Sequence, residues 1–268
     1  MNMNNLEKYL QDHLSELQHK ELEILCAIKD VCEKNGIEYW LDGGTCLGAV
    51  RHQGFIPWDD DIDIAMRKDD LPRFVEAAKR DLPDGLFVQT MDTDPSCRLP
   101  IVKVRDMNSL IVEFGDDFRR NYQKGIFVDI FPMIPYPDVS HQFCKKIVKE
   151  YCRANAILKQ QHTYSWRSVA ELFGFGGKRI LCAFIWRVAQ QLLPCKTYFS
   201  NTIETNGYGI MHRADTIFPT SKILFEGEEF TAPAHPEQYL CDLYGDYLQL
   251  PPMEKRKGHA AFYKVKLV

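Results

Sequence analysis

The N-terminal part of the chain carries apolar residues at helical spacing. The steps between them are three, four and seven residues, which predicts one long amphipathic helix over residues 6–34. The pair Asn35-Gly36 is a helix-stop signal. The apolar positions that define the helix are Leu10, Leu14, Leu17, Ile24, Ile28 and Val31.

Strand signals dominate the chain between this helix and residue 131. Short apolar or alternating runs, bounded by turn residues, are typical of strands. They predict strands at residues 37–41, 61–66, 86–91, 101–105, 110–113 and 126–131, the last ended by Pro132. Residues 45–51 and 68–81 have helical patterns, and Gly43-Gly44 predicts a tight turn.

The pattern changes after residue 140. Residues 141–200 predict helices, 222–233 a hairpin with its turn near Gly227, and 237–244 a short helix before a polar tail. We therefore predict an α+β fold, with a mixed β-sheet flanked by helices and an added helical segment. The predicted division is a catalytic core with its N-terminal helix over 1–135, a basic helical segment over 136–205, and a C-terminal piece over 206–268 that completes the catalytic domain.

Composition and charge narrow the class of protein. Hydrophobic residues make up 45% and charged residues 26% of 268 residues, which is typical of a soluble globular chain. A net charge of -4 gives no indication of nucleic acid as a partner. The nine cysteines form no CxxC pair, which argues against a structural zinc site. Without a signal-peptide pattern, reduced thiols and a cytoplasmic location are the expectation.

The average charge hides a basic segment. Residues 141–200 contain ten Lys and Arg against two acids, a net charge of +8. Either this segment contacts an anionic surface, such as a membrane, or it is a solvated helical face. Within it, Ile180–Leu193 is too short and too interrupted by Arg187 to span a bilayer. We expect a core helix there, with an interfacial helix as the alternative.

Four acids are crowded into residues 59–63. Asp61 and Asp63 alternate with apolar residues, so on a strand both side chains would project from one face. Two carboxylates on one face can bind Mg²⁺ or Mn²⁺, which also accepts phosphate oxygens from a substrate. Asp59 lies before the predicted strand, and we expect it to contribute less.

A third carboxylate is expected to complete the site. Asp129 lies in an apolar strand, GIFVDIFP, where an unpaired charge is costly. We predict that it joins Asp61 and Asp63 as a catalytic metal ligand. The alternative is a hydrogen-bonded core aspartate.

A glycine pair precedes the acids. Gly43, Gly44 and Thr45 follow a predicted strand and begin a helical stretch. Glycines at such a position let backbone amides approach a phosphate. A glycine pair alone is weak evidence for a phosphate site. The D-h-D-h pattern after it, where h is an apolar residue, makes the evidence stronger.

The sequence GGTCLGAVRHQGFIPWDDDIDI resembles the LicD family of the nucleotidyltransferase superfamily, relatives of the fukutin group. KVRD at residues 103–106 and YLCDLYGDYLQLPPMEKRKGH at residues 239–259 are similar to other motifs of that family. The resemblance covers roughly residues 35–259, and the helical region near 141–200 contributes nothing to it.

The resemblance implies transfer of a phospho-alcohol, such as phosphocholine, from a CDP-activated donor. The implied acceptor is a sugar hydroxyl of a cell-surface glycan, such as teichoic acid or lipopolysaccharide, or of its lipid-linked precursor. This implies a cytoplasmic enzyme that works at the inner face of the membrane. Fukutin relatives similarly transfer ribitol phosphate.

The resemblance also suggests which side chains bind the donor. Arg51, Lys103 and Arg105 are the expected cations for its phosphates, with surface ion pairs as the alternative. Asp246 and His259 belong to a polar tail that could close over the donor, unless that tail is simply a packed helix end.

Two other functions remain open from sequence alone. The first is transfer of a nucleotidyl group from an NTP to a small molecule, which needs the same metal site. The second is a non-catalytic protein that holds Ca²⁺ with the acidic run, although the acids are too compact for an EF-hand loop.

Overall fold

The computed structural model describes residues 3–160 and 165–267. Helices and strands are both well represented, and the α+β prediction is confirmed. The helices are α1 (Met3–Asp12), α2 (Leu14–Asn35), α3 (Gly43–His52), α4 (Leu71–Asp81), α5 (His141–Lys159), α6 (Trp166–Leu192), α7 (Ala214–Ile217) and α8 (Pro236–Tyr244). The strands are β1 (Tyr39–Leu41), β2 (Asp63–Arg67), β3 (Leu86–Gln89), β4 (Val102–Asp106), β5 (Leu110–Glu113), β6 (Ile126–Tyr136), β7 (Tyr198–Asn201), β8 (His212–Arg213), β9 (Ser221–Phe225), β10 (Glu228–Ala232) and β11 (Ala260–Lys264).

The described residues fall into two compact units. The first comprises residues 3–132 and 220–267, and the second comprises 133–160 and 165–219. The boundaries predicted from the sequence are 135/136 and 205/206. Residues 206–219 belong to the second unit, in which β8 pairs with β7.

The N-terminal helix is interrupted at His13, so the prediction of one helix over residues 6–34 is wrong at that point. The imidazole Nδ1 of His13 lies 2.9 Å from the Tyr9 carbonyl oxygen, where it competes with the helical backbone bond. The predicted stop is confirmed: Gly36 adopts a left-handed conformation with φ of 60° and caps α2. The predicted apolar stripe of α2 is buried from Leu17 to Val31.

In the first unit the central strands lie in the order β1-β2-β6-β4-β3. The pairs β1/β2, β3/β4 and β4/β6 are antiparallel. β2 begins at Asp63, not at Asp61 as predicted, so only Asp63 of the two acids lies on the strand. Val104 and Val128 are fully buried opposite each other in the sheet, as the apolar runs predict.

β6 does not end at Pro132, contrary to the prediction. It pairs with β4 from Ile126 to Ile130 and with β7 from Met133 to Tyr136. Pro132 lies between the two paired stretches, where its missing N–H removes no ladder bond from either pairing. Met133–Tyr136 belong to the second unit, whose core also includes Val148 of α5 and Trp186 of α6.

The C-terminal segment differs most from its prediction. The hairpin is confirmed, with a turn at Glu226-Gly227, and α8 follows. The tail is not merely polar: it ends in β11, which pairs antiparallel with β5. The start of this short strand lies beside the acidic segment of the first unit.

Candidate active site

The acidic segment is anchored to the start of α3. The backbone N–H of Asp63 donates to Thr45 Oγ1 at 2.8 Å, and the Asp63 carbonyl accepts from the Asp42 N–H at 3.0 Å. Two bonds on one residue fix where β2 begins relative to α3. Thr45, which was predicted among the substrate-binding residues, therefore also positions the strand that carries Asp63.

Asp42 is the N-cap of α3 and was not identified from the sequence. Its Oδ1 accepts from the Gly43 N–H at 2.7 Å and from the Tyr239 hydroxyl at 2.6 Å. An aspartate in this position is a preferred N-cap and also interacts favourably with the helix dipole. An acid directly before a helical stretch was the sequence signal that would have revealed it.

Gly43 and Gly44 form the first turn of α3, so the predicted separate turn is wrong. Gly43 has φ of 50°, a conformation that side chains with a Cβ rarely adopt. A Cβ on Gly43 would lie 3.0 Å from Asp63 Oδ2, and one on Gly44 would lie 2.8 Å from Asp59 Oδ2. The two glycines thus let the N-terminus of a helix approach both carboxylates closely.

The C-terminal tail closes onto the acidic segment. The carboxylate of Asp60 accepts from the backbone N–H groups of His259 at 2.6 Å and Ala260 at 2.8 Å. The His259 Nδ1 lies 2.9 Å from Asp61 Oδ2. Charge-assisted bonds of this kind are roughly twice as strong as neutral ones. The acidic segment and the C-terminal tail, which lie about 200 residues apart in the sequence, are thereby held together.

Asp59, Asp60, Asp61 and His259 each offer a ligand atom within 4.8 Å of the others, and we call them the acid cluster. Oxygen and imidazole ligands at this spacing could hold a metal ion. Of the predicted metal ligands, only Asp61 belongs to the cluster. Asp59, expected to contribute less, belongs to it because the segment before β2 folds back toward Gly44.

The electrostatics of the site favour a cation. Burial, and next the charge of Asp61, raises the pKa of Asp59 to about 7. Burial, and next the charges of Asp61 and Asp129, raises the pKa of Asp63 well above its usual value. A hydrogen bond from His259 to Asp61 raises the pKa of the imidazole to about 9. Crowded acids of this kind resist ionisation unless a positive charge lies among them.

Asp129 lies on β6 opposite Lys103 on β4. The Lys103 Nζ is 3.0 Å from Asp129 Oδ1 and 3.3 Å from Glu113 Oε2. Burial raises the pKa of Asp129 to about 6, although Lys103 opposes the shift. The ion pair with Lys103 already compensates the buried charge of Asp129. The burial of Asp129 therefore does not by itself require a metal.

Arg105 stabilises the central sheet through hydrogen bonds of its side chain. It is 2% exposed, and its guanidinium donates to Gln89 Oε1 at 2.6 Å and to the Gly125 carbonyl at 2.7 Å. A side chain enclosed in this way is not available to a donor phosphate. Arg105 therefore has a structural role, in contrast to the prediction that it binds a donor phosphate.

The remaining predicted binding residues lie at the edge of the site. Arg51, in the last turn of α3, donates to His52 Nε2 at 3.0 Å and to the Tyr247 carbonyl at 2.9 Å. Asp246 is exposed, and its backbone carbonyl accepts from Gln249. Arg51 remains partly accessible to a ligand, whereas nothing in the geometry directs Asp246 toward one.

Comparison with known proteins shows the family of this chain. Residues 36–163 match the profile described as LicD/FKTN/FKRP, nucleotidyltransferase domain. Over 275 aligned residues the chain is 30% identical to the lipopolysaccharide cholinephosphotransferase LicD of Haemophilus influenzae, with 92% of this chain and 95% of that protein covered. The chain belongs to the LicD family. It is accordingly an enzyme that transfers phosphorus-containing groups, which argues against the non-catalytic alternative.

Shorter similarities reach other LicD relatives. The human ribitol 5-phosphate transferase FKRP is 49% identical over 41 residues, which is 15% of this chain and 8% of that protein. An uncharacterized protein of Rickettsia typhi is 41% identical over 81 residues, which is 26% of each chain.

Proposed function

We propose that this LicD-family protein transfers a phospho-alcohol, such as phosphocholine, from a CDP-activated donor to a sugar hydroxyl of a cell-surface glycan or its lipid-linked precursor. The observation that carries the proposal is the acid cluster beside the N-terminus of α3, in a chain similar over nearly its whole length to a cholinephosphotransferase. A helix N-terminus attracts phosphate, and the acids suit the cation that accompanies a diphosphate.

In this reaction the acceptor hydroxyl oxygen attacks the phosphorus that carries the alcohol. The bond from that phosphorus to the CMP oxygen breaks, CMP leaves with the electron pair, and the hydroxyl proton passes to a base. Asp59, Asp61 and Asp63 are the side chains that would hold Mg²⁺ or Mn²⁺, which supplies charge stabilisation for the diphosphate when bound.

The protein's own residues have three roles in this proposal. The amides at the start of α3 face the diphosphate, and Arg51 contacts it from the end of the same helix. His259 holds Asp61 in place through the ion pair at 2.9 Å. A carboxylate of the cluster accepts the proton of the acceptor hydroxyl. Asp129 remains a proposed further carboxylate of the site, and Lys103 balances its charge.

The donor can be tested by thermal shift with Mg²⁺ present. We expect CDP-choline, CDP-ribitol or CDP-glycerol to raise the melting temperature more than CTP or ATP. At 100 times its dissociation constant a ligand stabilises by about 2.7 kcal/mol. Release of CMP on adding a glycan acceptor would then confirm the reaction. Preference for CTP or ATP with release of pyrophosphate would instead support nucleotidyl transfer.

A membrane contact is part of the same proposal, because a lipid-linked acceptor would lie at a bilayer surface. α6 carries large apolar side chains on its solvent face at steps of seven, seven and four residues. They are Trp166, Phe173, Ile180 and Phe184, and they are 89%, 79%, 67% and 63% exposed. The opposite face of α6, including Cys182 and Trp186, packs into the core of the second unit. The expected core helix is therefore only half buried.

The charge around this face supports an anionic lipid surface as its partner. Residues 141–200 have a net charge of +8, and Arg187 is exposed on α6 three residues after Phe184. Apolar residues beside cations suit an interfacial helix on anionic lipid. No helix among the described residues is long and apolar enough to cross a bilayer. We propose that α6 lies on the surface of an anionic membrane.

Liposome flotation tests this surface. We expect the protein to float with anionic vesicles at low salt, and Phe173→Ser with Phe184→Ser to abolish flotation. Phe118→Ser with Tyr208→Ser is the matched control, because both side chains are also highly exposed but lie outside α6. Equal recovery with neutral and anionic vesicles, or dimerisation through α6 in sedimentation, would contradict the proposal.

A further inference from the structure

Glu21 is an isolated acid in the buried face of α2. It lies in the stripe formed by Leu17, Ile24 and Ile28, at steps of four, three and four residues. Its side chain is 0% exposed, and neither carboxylate oxygen has a hydrogen-bond partner among the described residues. A buried carboxylate without a donor or a cation is one of the costliest groups in a protein interior. Its presence therefore requires an explanation.

The surroundings of Glu21 are acidic. The charges that act on its carboxylate most strongly are, in order, those of Asp61, Asp60, Asp59 and Asp63. Gln18, one turn earlier on α2, donates to the Asp59 carbonyl at 2.9 Å. This turn of α2 therefore lies directly against the acidic segment, and Glu21 follows Gln18 by one helical turn on the same face.

Lys20, the neighbouring cation on α2, is occupied elsewhere. Its Nζ contacts Glu23 at 2.5 Å and Asp106 at 3.4 Å. Lys20 therefore does not supply the cationic partner that Glu21 lacks, and the charges that act on Glu21 are those of aspartates. A divalent cation in the acid cluster would supply it.

We propose that Glu21 is a further carboxylate of the cation site, acting on the metal bound by the acid cluster directly or through a water of its coordination shell. Bound cation neutralises the buried carboxylate, and the carboxylate in turn strengthens cation binding. Without the cation, burial and the neighbouring aspartates raise the pKa of Glu21 well above its usual value, so the group is neutral. This inference deepens the proposed function and rests on it for the cation.

The test measures Mn²⁺ binding without donor, acceptor or turnover. Mn²⁺ is titrated into wild type and Glu21→Gln, and free Mn²⁺ is followed by electron paramagnetic resonance. We expect Glu21→Gln to weaken Mn²⁺ binding about 10- to 100-fold, as removal of a supporting group around a metal does. In EDTA its melting temperature should equal or exceed that of wild type, because a buried carboxyl without a partner is removed.

Glu16→Gln is the matched control, since it makes the same change on the same helix at an exposed position. Glu21→Met keeps the side-chain volume but has no oxygen or nitrogen atom, so it shows whether the amide of Glu21→Gln itself disturbs folding. We expect Glu21→Met to bind Mn²⁺ as weakly as Glu21→Gln does. Mn²⁺ affinity within twofold of wild type in both Glu21 variants would overturn the proposal and leave Glu21 as a neutral structural carboxyl. So would the absence of Mn²⁺ binding by wild type. Failure of every CDP donor to bind would overturn only the proposed function.

Discussion

Asparagine in place of Asp61 or Asp63 is expected to lower turnover about a thousandfold or more while leaving the fold intact. An amide is nearly the size of a carboxylate but carries no charge and binds Mg²⁺ poorly. Charge grows on the leaving CMP as its bond breaks, and losing about 4 kcal/mol of stabilisation there corresponds to a thousandfold rate loss. The measurement is CMP release with the donor identified by thermal shift.

The thermal stability of these two variants should change little or increase, although their turnover falls. Asp63 lies among other acids, so removing its charge relieves repulsion in the metal-free protein and should raise the melting temperature in EDTA. Asp61→Asn also loses the contact with His259, a side chain 66% exposed, so its melting temperature should stay near that of wild type. Asp92→Asn, in an exposed turn, is the control. Near wild-type turnover in both variants would refute the assignment of the site.

The second large effect is expected at Gly258. A Cβ there would lie 2.2 Å from Asp60 Oδ2, and that carboxylate is fixed by the His259 and Ala260 N–H groups. Gly258→Ala must therefore displace the tail or break both bonds. Each charge-assisted bond contributes about 1.5–3 kcal/mol, so we expect a loss of about 3 kcal/mol and of about 6–12 °C in melting temperature.

The turnover of Gly258→Ala should fall together with its melting temperature. Moving the tail displaces His259 from Asp61, and a displacement of about 1 Å can cost about a hundredfold in rate. Gly207→Ala is the control, because a Cβ there meets nothing within 4 Å and no unusual φ is required. If Gly258→Ala matches Gly207→Ala in both melting temperature and turnover, the tail does not hold the acid cluster together.

The sequence predicted the parts of the site that lie close together along the chain. The glycine pair and the acids are separated by fewer than twenty residues, and both features are visible as patterns. Their spacing could not show that the chain folds back before β2, which brings Asp59 into the cluster and leaves Asp61 off the strand.

Long-range partners account for what the sequence did not predict. Asp60 meets backbone amides about 200 residues later, and backbone amides carry no sequence signature. Arg105 and Lys103 appeared equally suitable for phosphate, and only the sheet register shows that Lys103 faces Asp129. Glu21 was overlooked because α2 was interpreted from its apolar positions, although an acid within an apolar stripe is itself a signal.

The pairing of Asp60 with His259 and Ala260 also sets an order of events during synthesis. At about 5–20 residues per second, the ribosome adds the tail some 10–40 s after the acidic segment. Throughout that interval the nascent chain has its aspartates in place but neither the imidazole nor the two amides that hold them. A chain whose synthesis stops before His259 therefore lacks the groups that hold Asp60 and Asp61, and we expect such a fragment to release no CMP from any donor.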